Sequence, residues 1–327
     1  MSDVLASLID AGAQHDAEYR GGLSNHLPMA LLALRRLGAS DARLSAFAAT
    51  YGARLEAAPA AQAWPAGDPW PGRLGERQAW PAYRHLFAQW LTYEEATDVL
   101  TQVLPTLMTG CGGAAFHGLI RTAYALRSES MAELTDALAY WACVHMPLRA
   151  PGGVPTAVAV GGTAALADAL KGLPRKALKA PMISVRMQAA ATQPKFAAAT
   201  AKLRIDDQTL PTLAQHAAAL YAASGNFTVL HLVTSAHAMR VLLPFVDEPL
   251  AAVHDYWLAY AAGTVAAGAQ LGDAAPLLPW ARIVKRAIES DDEHVIKLVD
   301  SCREEELAYG DKGGGKAWRL AASRVVS

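Results

Sequence analysis

The chain has 327 residues, of which 53% are hydrophobic and 18% charged, with a formal net charge of −1. That composition supplies a sizeable core for one large domain or two smaller ones and excludes disorder. Without a basic block or a Lys/Arg-rich helix, neither a nucleic-acid surface nor electrostatic attachment to a membrane is expected.

The N-terminal stretch MSDVLASLIDAGAQHD has no positive n-region and no long apolar run, so no signal peptide is expected. Beyond it, apolar residues recur at three- and four-residue spacing almost everywhere, which predicts an all-α fold of ~10 to 14 helices in a single domain over 1–327. Helix starts are expected at three boxes of the S/T-x-x-E kind: Thr92 with Glu95, Ser130 with Glu133, and Ser290 with Glu293. Helix stops fall at Gly38, Gly110, Pro147, Gly172, Gly225 and Pro244. Between Ala57 and Tyr83, five prolines and three tryptophans (Trp64, Trp70 and Trp80) rule out a long helix. So aromatic a stretch predicts an ordered loop packed on the helical body, able to serve as a lid. A second break starts at Arg149. The strand-like runs TAVAV (156–160) and FTVLHLV (227–233) read as buried helix or loop. Leu250 to Leu271 is the most membrane-like segment, yet His254, Asp255 and its glycines suit a packed soluble helix better. Three dispersed cysteines, Cys111, Cys143 and Cys302, imply a reduced cytoplasmic protein without a disulfide framework.

The chemistry-bearing residues are histidines in apolar helices. In FHGLIRTAYAL, His117, Arg121 and Tyr124 fall at roughly 0°, 40° and 340° around the helix, a polar stripe on a segment otherwise built for burial. His26, where Ser24 or Asn25 can cap the next helix, faces inward with Met29 and Ala33. His231 lies in NFTVLHLVTSAHAMRVLL and His294 in SDDEHVIKLVDSC, with Lys297 on the same face as His294. A lone buried imidazole usually just donates to a carbonyl, whereas four in four separate helices match the way bundles assemble metal sites. Neutral imidazole suits Zn, Cu, Ni or Fe. His15 and His85 read as surface residues.

In order along the chain, NHLPMALLALRRLGA, FHGLIRTAYAL, FTVLHLVTSAHAMRVLLP and DDEHVIKLVDSC resemble the questin oxidase family from about His15 to the C-terminal region. The resemblance implies a helical oxygenase using non-haem iron, Fe(II), and O2 for Baeyer–Villiger-like oxygenation of an aromatic, anthraquinone-like polyketide. It implies His26, His117, His231 and His294 as metal ligands, with Lys297 a further oxygen ligand if carboxylated by CO2. Arg121 would neutralise a developing enolate, or instead form a buried ion pair. Tyr124 would donate to substrate or to a neighbour, and His237, about 120° from His231, would serve as a supporting or substrate group. NADPH, used by some members, has no motif here: VAVGGTAALADAL lacks GxGxxG, and GDKGGGK lacks the P-loop spacing.

Two other functions fit parts of the pattern. An HD-type metal phosphohydrolase would use His254–Asp255, a first ligand among His216, His231 and His237, and Asp291 or Asp292. A non-catalytic helical binding protein would need only satisfied core histidines. A zinc hydrolase on the same cluster is a weaker alternative, since such sites use three protein ligands and a water.

Overall fold

The computed structural model describes residues 3–148, 163–174, 178–273, 276–310 and 316–327. Among them the chain forms sixteen α-helices and one antiparallel hairpin, β1 (Glu18–Tyr19) with β2 (Leu23–Ser24), so the fold is all-α as the periodicity predicts. In chain order the helices are α1 (Asp3–Gly12), α2 (Leu27–Leu37), α3 (Asp41–Gly52), α4 (Trp80–Tyr93), α5 (Ala96–Met108), α6 (His117–Ser128), α7 (Met131–Cys143) and α8 (Thr163–Gly172). They continue with α9 (Ile183–Ala191), α10 (Phe196–Thr200), α11 (Thr209–Ser224), α12 (Phe227–Leu242), α13 (Pro249–Ala267), α14 (Trp280–Glu289), α15 (Glu293–Tyr309) and α16 (Ala317–Val325). Their number exceeds the expectation because elements such as the five-residue α10 are too short to show a 3.6-residue period. The run 156–160 and the glycine-rich stretches at 158–162 and 311–315 lie outside the described residues, while FTVLHLV opens α12. No described helix is long and apolar enough to cross a membrane.

Local chemistry explains most boundaries. Ser130 caps α7 by accepting from the Glu133 N–H, as predicted. Gly38 ends α2 with φ 97°, a left-handed conformation open to glycine without steric penalty. The box at Thr92 does not start a helix. That residue lies in the last turn of α4 and donates to Ala88 O at 2.7 Å, the back-bonding open to a helical threonine. The Ser290 box starts its helix late, because Asp292 takes the cap and accepts from the His294 N–H at 2.8 Å.

The Pro/Trp-rich loop is ordered, with 3-10 turns at Trp70–Arg73 and Arg77–Ala79 before α4 begins at Trp80. The Trp64 ring lies 4.7 Å from Tyr83, and Trp70 lies 6.1 Å from both Phe87 and Trp90. All three partners are on α4. Aromatic packing therefore clamps the loop along that helix, with Trp64 and Trp70 as anchors.

What positions the site is a closed ring of four helices. α2 packs on α6, α6 on α12, α12 on α15, and α15 back on α2. Their apolar faces join the continuous core that runs from Leu5 to Ala322.

Candidate metal centre

All four helices of that ring begin at one place, and each brings a histidine there. His26 is the residue before α2, His117 the first of α6, His294 the second of α15, and His231 lies one turn into α12. The ring centroids are 4.6 Å apart for His26 and His117, 5.0 Å for His117 and His231, 5.8 Å for His231 and His294, and 4.7 Å for His294 and His26. Sequence spacing could nominate these four, but only the helix ring brings them together.

Each imidazole is held by a different local device. His231 Nδ1 bonds Phe227 O at 2.9 Å, one turn back in its own helix, which leaves Nε2 as the basic nitrogen. His117 Nδ1 bonds Ala114 O in the same sense. That carbonyl is aimed by an unusual turn in which Ala114, Ala115 and Phe116 have φ of 45°, 55° and 69°, all left-handed and none glycine. Such residues cost on the order of 1–2 kcal/mol each, so the surrounding packing must impose them. Gly118 supplies part of that packing: a Cβ there would sit 2.7 Å from the Trp141 backbone, so glycine lets α6 lie against α7. Asn25, not Ser24, caps the turn at His26 by accepting from the Leu27 N–H at 3.0 Å.

Electrostatics keep His26, His117 and His231 neutral. Burial, the Lys297 ammonium and the neighbouring rings hold His26 and His117 well below the usual imidazole range. Burial takes His231 down to about 3. Four helix N-termini pointing at the cluster add partial positive charge of the same sign. His26 Nε2 and His117 Nε2 face each other at 2.7 Å, a hydrogen bond in which one neutral imidazole donates and the other accepts.

On the opposite side of His26, Lys297 Nζ lies 3.2 Å from Nδ1 and Glu293 Oε1 lies 3.8 Å away. Lys297 is 1% exposed, and burial lowers its ammonium to about 8. Glu293 Oε1 is also 3.5 Å from His294 Nδ1, and Asp292 Oδ1 is 3.3 Å from the same nitrogen. Among the described residues, His26, Glu293 and His294 form the His/carboxylate group close enough to share one ion. Sequence reasoning used Glu293 only as a capping residue. The signal was its i,i+4 spacing to Lys297, which puts both on one face of α15.

The donor set fits a borderline transition metal. It offers imidazole nitrogens, those of His117 and His231 with tautomers fixed by carbonyls, an adjoining carboxylate, and burial that disfavours protonation of His26, His117 and His231.

The rest of the predicted stripe goes elsewhere. Each turn of α6 rises about 5.4 Å, so the residues one and two turns beyond His117 meet different neighbours. Arg121 makes a bidentate ion pair with Glu133, at 2.7 and 2.8 Å, with Asp136 at 3.7 Å. Of its two weighed roles, it has the structural one. Tyr124 donates to Asp300 at 3.0 Å, and Asp300 also accepts from Arg36 at 2.9 Å. His237 Nδ1 bonds Glu305 at 2.8 Å on an oxygen shared with Arg240. None of these three side chains is therefore aimed at the histidine cluster.

The HD pair is also separate. His254 lies half-exposed on α13 with Nδ1 3.7 Å from the adjacent Asp255, while His216 is engaged by Tyr260 OH at 2.7 Å.

With this geometry in hand, the comparisons decide the family. The questin oxidase-like profile matches residues 23–302, which include all four histidines and Lys297. The chain belongs to the questin oxidase-like family. No curated protein matches it. Family membership points to oxidase- or oxygenase-type chemistry, and the HD reading has neither family nor geometry behind it.

Proposed function

We propose that this questin oxidase-like protein is a non-haem, iron(II)-dependent oxygenase that uses O2 for Baeyer–Villiger-like oxygenation of an aromatic, anthraquinone-like polyketide. The observation that carries the reading is the meeting of four imidazoles from four helices, beside a carboxylate and a buried amine. His26, His117, His231 and His294 would hold the metal. Glu293 would supply an oxygen donor directly, or Lys297 would do so as its carbamate. Bound there, ferrous iron supplies the one-electron chemistry that lets triplet O2 attack a closed-shell aromatic ring.

The protein's own groups perform the rest. The carbonyls of Ala114 and Phe227 hold the His117 and His231 protons on Nδ1, so the Nε2 lone pairs stay available. Because burial brings Lys297 to about 8, part of it is neutral amine near physiological pH. A neutral amine adds to CO2 through its nitrogen lone pair and sheds one proton to water. An unmodified ammonium has no lone pair to donate. Placing one atom of O2 in the substrate and reducing the other to water takes two further electrons and two protons; a dissociable two-electron reductant such as NADPH would supply them from solution, since the sequence carries no motif for a resident nicotinamide. The three buried free thiols suit a reducing, cytoplasmic setting.

The test is metal analysis of protein purified anaerobically from iron-supplemented cells. Near-stoichiometric iron is expected in the wild type and in His85→Ala, and its loss is expected in His26→Ala, His117→Ala, His231→Ala and His294→Ala. Comparing Glu293→Gln with Lys297→Met shows which oxygen donor matters. A folded wild type that binds no transition metal refutes the proposal and returns the histidines to core packing.

A further inference from the structure

Phe227 is placed in a way that stability alone does not explain. It is 54% exposed, one of the largest apolar groups left in water. Its ring nevertheless lies 4.9 Å from His231 at 80° and 4.8 Å from His294 at 64°, edge contacts that close the outer side of the cluster. Its backbone is fixed independently. Asn226 caps the helix by accepting from Thr228 N and Val229 N at 2.8 and 3.2 Å, and Phe227 O takes the His231 Nδ1 bond. The side chain can therefore turn about χ1 without disturbing the backbone that orients His231.

The surroundings are apolar and solvent-facing. Arg186 Nη2 donates to Thr228 Oγ1 at 3.0 Å, which fastens α9 beside the start of α12. α9 brings Val185, with Met182 just before it, both exposed. A Cβ on Gly22 would meet the Met182 methyl at 4.0 Å, so Met182 reaches the hairpin that carries exposed Leu23, three residues before His26. Leu23, Met182, Val185 and Phe227 thus stand on the elements around the outer side of the cluster.

We propose that Phe227 is the specificity-determining gate of the site: its ring occupies the place over His231 and His294 that a planar aromatic ligand takes when it binds. The gate follows from the contacts above, while the aromatic ligand rests on the proposed function. An edge-on aromatic ring is exchanged for another of similar shape with little loss, since both satisfy the same imidazole faces. A bulky aliphatic or strongly polar ligand gains no such replacement. The closed ring also acts as a competing state, so apparent affinity falls by the fraction of molecules in which the gate stands open.

The experiment compares wild type, Phe227→Ala and Phe227→Trp, each checked for folding by circular dichroism and thermal melting. Diethylpyrocarbonate modification of the chelator-treated, metal-free proteins is followed per histidine by mass spectrometry, with His85 as the internal reference. Binding of 1,8-dihydroxyanthraquinone is titrated under nitrogen. Phe227→Ala should speed modification of His231 and His294 several-fold while His85 is unchanged, and Phe227→Trp should slow it. If the gate is closed in about nine molecules of ten, quinone affinity should rise about tenfold in Phe227→Ala. Unchanged modification at His231 and His294 overturns the gate. Faster modification with no quinone binding in any variant upholds the gate and overturns the aromatic ligand. Equal quinone affinity in all three variants overturns the specificity role.

Discussion

The buried Arg121–Glu133 pair allows a structural role to be separated cleanly from a catalytic one. Both side chains are no more than 2% exposed, and the guanidinium reaches both carboxylate oxygens of Glu133 with Asp136 close by. Removing one member strands the other's charge in a medium that cannot solvate it, at a cost of about 3–5 kcal/mol. Arg121→Met at pH 7 should therefore lose about that much in urea denaturation. Replacing both partners in Arg121→Met/Glu133→Leu removes both charges and should recover about 2 kcal/mol or more of the loss. The pH dependence has a definite sign. Burial already raises the Glu133 and Asp136 carboxyls, and without Arg121 they rise further above their unfolded values. A group raised in the folded state contributes stability at low pH and loses it as pH climbs through the folded pKa, so the deficit of Arg121→Met should narrow from pH 7 to pH 5. Glu133→Gln should show no such recovery, because arginine cannot shed its proton. Iron content of the double variant should match wild type. If Arg121→Met keeps its stability within about 0.5 kcal/mol yet loses oxygenation of a hydroxyanthraquinone, the side chain works on substrate and the structural reasoning fails.

Two further outcomes can be checked with the metal-free protein. Ala115→Gly relieves a left-handed alanine at φ 55° but adds unfolded-state entropy, so a net gain of about 0.5–1 kcal/mol is expected, read as a rise in thermal midpoint. A drop would mean that the turn before His117 is not strained. His216, hydrogen-bonded to Tyr260, is held down to about 4 by burial, below its unfolded value. Folding then excludes a proton the unfolded chain would take, and stability should fall as pH drops from 6.5 toward 4, by at most about 1.4 kcal/mol per unit from this group. His216→Gln should flatten that slope, and an unaltered profile would show that the side chain titrates freely in the fold.

The readable and unreadable parts of the sequence divide along one physical line. Helical periodicity and the asparagine, serine and glycine signals around α2, α7 and α12 are local, and local chemistry decides them. Thr92 reads as a helix start because a capping box and a back-bonded threonine share one sequence pattern, and only the continued hydrogen bonding of α4 distinguishes them. At the site, one face of α6 gave His117, Arg121 and Tyr124 equal standing. Which of them meets the cluster depends on axial height as well as angle, and on which neighbour stands at that height. At the level of His117 the neighbours are His26 and His231, one turn on they are the carboxylates of α7, and a further turn on the partner is Asp300 of α15. A helical wheel discards that axial coordinate. The first turn is therefore the informative place in this fold. The helix ring joins its members at their starting ends, and a polar residue at a helix start is the one it can share with three other helices. Glu293, at the very start of α15 with its carboxylate 3.5 Å from His294 Nδ1, joins the four histidines in the candidate site, whereas Arg121, Tyr124 and His237 each engage a carboxylate elsewhere with their polar atoms.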